Sequence, residues 1–187
     1  MIKRKIQSGI KKISAMLINL MAKSKIYFLE ENIILGNNVS IGSGVVIKTT
    51  DNGKIMIGNN VTIEKNSYIY AQDCEVKIGS NSFIGNGSQI VAEKSIIIGK
   101  DCLIAAYSII RDANHGIRKK EKIKDQLNNA KLINIGDDVW IGAHSTIVAG
   151  VVIEKGAIIG ANSVVTSNIK SYTIVAGVPA KFIKERA

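Results

Sequence analysis

The chain has 187 residues, 46% of them hydrophobic, enough to bury one sizeable core as a single domain. No stretch approaches the roughly 20 apolar residues of a membrane-spanning helix, which argues against a helical integral membrane protein. The net charge of +10 is uneven: seven basic residues and no acid fall in residues 1–25, leaving the rest near +3, and no aromatic residues interleave with them as nucleic-acid binding would favour.

In chain order, residues 1–27 read as a basic amphipathic helix. Ile6, Ile10, Ile13, Leu17, Leu20 and Met21 recur at three- and four-residue steps and share one face, with lysines over much of the remainder. Two roles stay open: a cap over the end of a repeat stack, or a surface anchor drawn to anionic lipid headgroups through residues 1–25. The apolar run Ile13–Ala22 is short and is followed by Lys23 and Lys25, unlike a secretory leader. The expected location is cytoplasmic, with peripheral contact at the inner face of the membrane if the helix is an anchor.

Residues 28–170 carry a six-residue unit: an aliphatic residue, usually glycine, two polar residues, a small residue and a variable one. The cleanest run has leading residues Ile135, Ile141, Ile147, Ile153 and Ile159 without a slip in register. A period of six is neither helical nor a plain alternating strand; it is the signature of a parallel β-helix in which each side of the coil takes one unit. The leading aliphatic and the small residue four positions later point inward, and a slip of one residue would turn the aliphatics to solvent. Leu35, Ile57, Ile78 and Ile98 are 22, 21 and 20 residues apart, so each early turn carries a bulge at one corner, whereas Ile135 to Ile153 is an uninterrupted 18. Cys102 falls on a small inward position and reads as a buried thiol, Cys74 lies in an irregular insert, and a disulfide is not expected in a reducing compartment.

The repeat fails between Ile110 and Ile135, giving a long loop, 111–134, extruded from the coil; such insertions usually carry function. The loop holds Asp112, Asn114, His115 and Gln126, and a basic cluster of Arg118, Lys119, Lys120, Lys122 and Lys124. The other histidine, His144, takes an outward place in the unit led by Ile141 and reads as a solvated or intersubunit surface residue. A tail, 171–187, closes the chain with Ala176-Gly177-Val178-Pro179-Ala180-Lys181.

The repeats, the stretch Gly136–Ala143, Asn114-His115-Gly116 and this tail together resemble the hexapeptide-repeat acyltransferases. Within them the chain resembles the small O-acetyltransferases of polysaccharide and lipopolysaccharide assembly and the maltose and galactoside acetyltransferases. The loop is similar to their Asp-His-Asn-His…Gln pattern, with Ala113 in place of the first histidine. The resemblance implies an all-β, left-handed parallel β-helix, although the general preference for right-handed crossovers points the other way. It implies a homotrimer with acetyl-CoA in a cleft between adjacent coils, a saccharide or lipid-linked glycan acceptor and no metal.

The resemblance also assigns residues. His115 is the expected general base, because a sugar hydroxyl must lose its proton as it attacks the thioester and imidazole ordinarily titrates near neutrality. Asp112 or a backbone carbonyl would orient it. Trp140 would line the groove near the donor; Gly142, Ala143, Gly160 and Ala161 would leave room for the pantetheine arm, with Thr166 and Ser167 continuing that wall. Lys181 and Lys184 would face the CoA phosphates. Asn86 and Asn114 would contact the acceptor. The function expected is acetyl-CoA-dependent O-acetylation of a saccharide hydroxyl; the alternative is N-acetylation of a nucleotide-linked amino sugar or a small xenobiotic. A zinc hydratase on the same coil needs three histidine ligands, and the chain has two.

Overall fold

The computed structural model describes residues 32–187, which form a left-handed parallel β-helix of about six turns. The helix expected over residues 1–27 lies outside the described residues. No helix among the described residues is long and apolar enough to cross a membrane.

Each turn contributes one strand to each of three faces. The first face runs Ile33–Leu35, Lys54–Ile57, Glu75–Ile78, Ser95–Ile98, Ile133–Ile135, Val152–Ile153. The second runs Ser40–Ile41, Thr62–Ile63, Phe83–Ile84, Leu103–Ile104, Trp140–Ile141, Ile158–Ile159 and Thr173–Ala176. It ends on Lys181–Glu185, which pairs antiparallel with Thr173–Ala176. The third runs Val46–Thr50, Tyr68–Gln72, Gln89–Ala92, Ile109–Arg111, Thr146–Ile147, Val164–Val165.

The leading aliphatics stack in register. Ile63, Ile84, Ile104, Ile141 and Ile159 pair along the second face, and each is at most 1% exposed. Full burial of one such side chain is worth about 2 kcal/mol, and one aliphatic per face per turn builds a single continuous core. The small inward residue does a second job. Ser67, Ser88, Ser108 and Ser145 each donate their hydroxyl to a carbonyl of the next turn, at 3.0–3.2 Å, so a buried polar atom becomes a rung.

Asparagines and aspartates hold the corner between the first and second faces. Asn38, Asn60, Asn81, Asp101 and Asp138 all have φ between 55° and 62°, a region these side chains tolerate. Asn60 Nδ2 donates to Asn81 Oδ1 at 3.1 Å, and Asn81 Nδ2 to Asp101 Oδ1 at 2.9 Å. Arg186 closes the column with a 2.8 Å ion pair to Asp138.

The early bulges all fall at the corner between the third and first faces, around Asp51–Asn52, Asp73–Cys74 and Glu93–Lys94. The extruded loop leaves from this same corner. It is shorter than 111–134, because Arg111 still pairs with Val91 and Ile133 with Ile96, leaving 112–132 between the paired strands. The tail differs too. Thr173–Ala176 continues the second face beside Ile158–Ile159, so the coil does not end at residue 170.

Candidate active site

Asp112 begins the loop and is fully buried. Its carboxylate accepts three backbone N–H groups from the corner of the preceding turn: Glu93 and Lys94 at 2.8 Å and Ser95 at 2.7 Å. This corrects its expected role. The carboxylate is committed to anchoring the loop's exit and does not hold the His115 ring.

Past this anchor the loop doubles back as a two-rung antiparallel ladder, Ala113 opposite Ala130 and Asn114 opposite Asn129. Gln126, buried at 7% exposure, locks the tip. Its Oε1 accepts the Arg118 N–H at 2.7 Å, and its Nε2 donates to the carbonyls of Arg118 at 2.9 Å and Glu121 at 3.0 Å. Gly116 is needed there, since a Cβ would lie 2.7 Å from Gln126 Oε1 and 2.8 Å from its Cβ.

His115 sits on the exposed outer side of this ladder, and no described residue hydrogen-bonds its ring. It borders a cavity of about 290 Å³ with Arg111, Ala113, Asn114 and Asn128. Glu93 organises the rim. It accepts from Asn128 Nδ2 at 2.7 Å and pairs with Arg111 at 3.5 Å. The loop therefore brings His115 and Asn114 together. Arg111 and Asn128 were not anticipated; nothing marks either in the sequence, because the corner of an earlier turn brings them to the rim.

The donor-side candidates divide. Trp140, half-exposed, stands on the second face between Leu103 and Ile158, in line with Ile174 and Lys184 on the last strands. Gly142, Gly160, Ala176 and Lys181 form the neighbouring row, with Ala143 and Ala161 at the corner beyond. That is one wall. Gly142 does not leave room on it: its missing Cβ would lie 2.5 Å from Ala161 N, so the next turn fills that space and coil stacking demands the glycine. At Gly160 a Cβ would meet the Ala176 Cβ at 2.8 Å. Groove-side room is left instead at Ala143, half-buried, and Ala161, exposed.

Thr166 and Ser167 are not on that wall. They follow Val164–Val165 and so lie across the third face, one corner further round, because each six-residue unit carries the chain along one face to the next corner. Ser167 meets Lys181 in a cavity of about 400 Å³ at the end of the coil. Asn86 and His144 lie at the corner between the second and third faces, and His115 beyond the third face, so one chain does not bring Asn86 and His115 together.

Coil, repeat and extruded histidine loop define a left-handed β-helix enzyme of the hexapeptide class. The bacterial transferase hexapeptide model matches residues 133–167, and the hexapeptide repeat of succinyl-transferase matches residues 32–71 and 75–110. A protein named for O-acetyl transfer in lipopolysaccharide biosynthesis, WbbJ of Escherichia coli, is 32% identical over 82% of this chain and 72% of its own length. The galactoside O-acetyltransferase of Escherichia coli is 31% identical over 69% of this chain; the match spans 63% of that relative's length. A variant of AntD, an N-acyltransferase from Bacillus cereus in complex with dTDP-4-amino-4,6-dideoxyglucose and coenzyme A, superposes with TM-score 0.74. It has 28% identity and covers 88% of this chain and 89% of that one. The chain belongs to the bacterial hexapeptide-repeat transferase family and is an acyltransferase.

Proposed function

We propose that this protein is an acetyl-CoA-dependent O-acetyltransferase of a saccharide, with His115 as general base. The carrying observation is the cavity at the loop. Of its lining groups, His115 carries the one imidazole, the side-chain type most often used as a general base, and its ring is free of described partners. An acceptor hydroxyl would give its proton to the imidazole as its oxygen attacks the thioester carbonyl. The tetrahedral intermediate then expels the CoA thiolate, which takes the proton back from the imidazolium. The donor reading is supported by the coenzyme A bound to AntD and by the wall of Trp140, Ala143, Ala161, Lys181 and Lys184: an aromatic ring, small side chains and exposed cations suit a long thioester with phosphates. The saccharide reading is supported by the names of WbbJ and the galactoside enzyme.

The working unit in this proposal is a homotrimer. The wall and His115 lie at opposite edges of the third face, whereas reacting atoms must come within about 3.5 Å. One chain's wall must therefore meet another chain's loop. Ile117 and Leu127 on that loop are 88% and 87% exposed, apolar surface that a neighbouring copy would cover. The same proposal sets the reaction in the cytoplasm, as the compartment expected to supply acetyl-CoA.

The test is transfer of labelled acetyl from acetyl-CoA to free sugars, amino sugars, nucleotide sugars and lipid-linked glycans, with wild type beside His115→Ala. Alkali-labile label lost by about 10²-fold or more in the variant supports the proposal; transfer within about twofold of wild type sinks it. The AntD similarity supports a second reading, N-acylation of an amino sugar. Alkali-stable label, with a His115→Ala defect that shrinks at high pH, would select it.

A further inference from the structure

One position at the corner between the second and third faces recurs in left-handed backbone conformation on every turn: Gly44, Asn66, Gly87, Tyr107, His144, Asn162. Glycine and asparagine accept that conformation readily; a bulky tyrosine does not. Tyr107 has φ 58°, as does His144. A tyrosine laid over a glycine is by itself a packing device of this coil, for Tyr172, φ 55°, covers Gly156 at another corner as Tyr107 covers Gly87. The Tyr107 corner carries more. Its ring is stacked with the His144 imidazole, centroids 5.1 Å apart and planes 19° apart. Its hydroxyl accepts Asn86 Nδ2 at 3.0 Å.

Asn86 is the point of tension. Its backbone N–H donates to Glu64 Oε2 at 3.3 Å, and its Oδ1 is buried without a partner. Exchanging the amide oxygen and nitrogen would turn an orphan acceptor into an orphan donor without removing it. Beside it, the Tyr107 hydroxyl keeps its own O–H and a lone pair, and no described residue hydrogen-bonds the exposed His144 ring. The Asn86 Oδ1 itself is enclosed, but the second hydrogen of its Nδ2, the Tyr107 hydroxyl and the His144 ring stand on one edge with hydrogen-bonding capacity unspent. Glu64, whose carboxylate accepts the Asn86 N–H, and its exposed neighbour Lys65 leave this corner without the net positive charge that CoA phosphates would favour.

We propose that this corner is the specificity subsite for the acceptor. Asn86, Tyr107 and His144 bind hydroxyls of a neutral part of a saccharide, and Tyr107 and His144 decide which saccharide is taken. The inference rests on the saccharide-acceptor reading above and adds to it the residues that select.

The test is the steady-state rate of CoA release from acetyl-CoA with galactose, N-acetylglucosamine, UDP-N-acetylglucosamine and dTDP-4-amino-4,6-dideoxyglucose as acceptor probes. It compares wild type, Tyr107→Phe and His144→Asn. The first variant keeps the ring stack and removes only the hydroxyl; the second installs a residue at home at φ 58°, so both should fold, checked by thermal unfolding. The expected result is a KM for the acceptor raised about tenfold or more in each, with the KM for acetyl-CoA held within about twofold. An acceptor KM unchanged in both variants overturns the subsite, as does a change confined to the KM for acetyl-CoA. A wild-type enzyme indifferent to every probe overturns it too. His115→Ala run in the same assay separates the two ideas: full activity there removes the underlying reading, whereas its loss beside unchanged corner variants removes only the subsite.

Discussion

Asp112 reaches back to Ser95, whose backbone N–H donates to its Oδ2 at 2.7 Å, and through this contact the first residue of the histidine loop is fastened to the preceding turn. Glu93 and Lys94 donate to the same carboxylate. Asp112→Asn turns an amide group toward these donors in a fully buried place, leaving at least one hydrogen bond unmade. The expected loss is about 2–3 kcal/mol of stability, with transfer falling as the loop's exit shifts. Urea unfolding checks the first effect. A midpoint equal to wild type would show that the anchor is dispensable.

Gln126 provides the second fastening. Gln126→Ala removes three hydrogen bonds from the tip while touching nothing in the coil, so the loop should loosen by itself. Trypsin should then cut faster after Lys119, Lys120, Lys122 or Lys124, and transfer should fall about tenfold or more. The thermal midpoint of the coil should stay near wild type. Equal trypsin resistance in the two proteins would contradict the clamp.

The unequal legibility of fold and site has a physical cause. The inward aliphatics and small residues answer to a strictly periodic constraint, so most of the coil and its early bulges are legible in the sequence. The anchoring role of Asp112 is invisible in the sequence because its partners are N–H groups of Glu93, Lys94 and Ser95, and backbone donors leave no trace in composition. Thr166 and Ser167 do not continue the wall expected of them because the chain turns a corner between Ala161 and Val164, which repeat number alone does not show. Arg186 had no signal, since its pairing with Asp138 depends on where the last strand folds back.

Gly142 and Ala161 separate stacking from donor binding. Gly142→Ala puts a methyl group into the backbone of the next turn, and a clash with backbone cannot be relieved by a side-chain rotation. The expected result is a loss of about 1–3 kcal/mol. Ala161→Val adds bulk on an exposed position of the proposed donor wall and should leave the unfolding midpoint near wild type while raising the KM for acetyl-CoA several-fold. The reverse pattern, a stable Gly142→Ala protein with impaired donor binding, would return the glycine to the groove.

Cys102 ties stability to alkaline pH. Its thiol is fully buried, with Sγ 3.1 Å from the Gly136 carbonyl, and burial pushes its pKa up from 9.0 to about 11. The unfolded chain loses this proton near 9 while the folded chain holds it to about 11. Unfolding is therefore favoured progressively as pH rises through that window, and below it the contribution to stability is intact. Cys102→Ala places the residue already found at Ala157, in the same ladder, so the variant should fold. Its urea midpoint should decline less steeply than that of wild type between those two pH values. At pH 8 the native thiol should resist alkylation by iodoacetamide and react only after unfolding. Parallel declines with pH, or rapid labelling of native Cys102, would show that the thiol ionises in the folded coil.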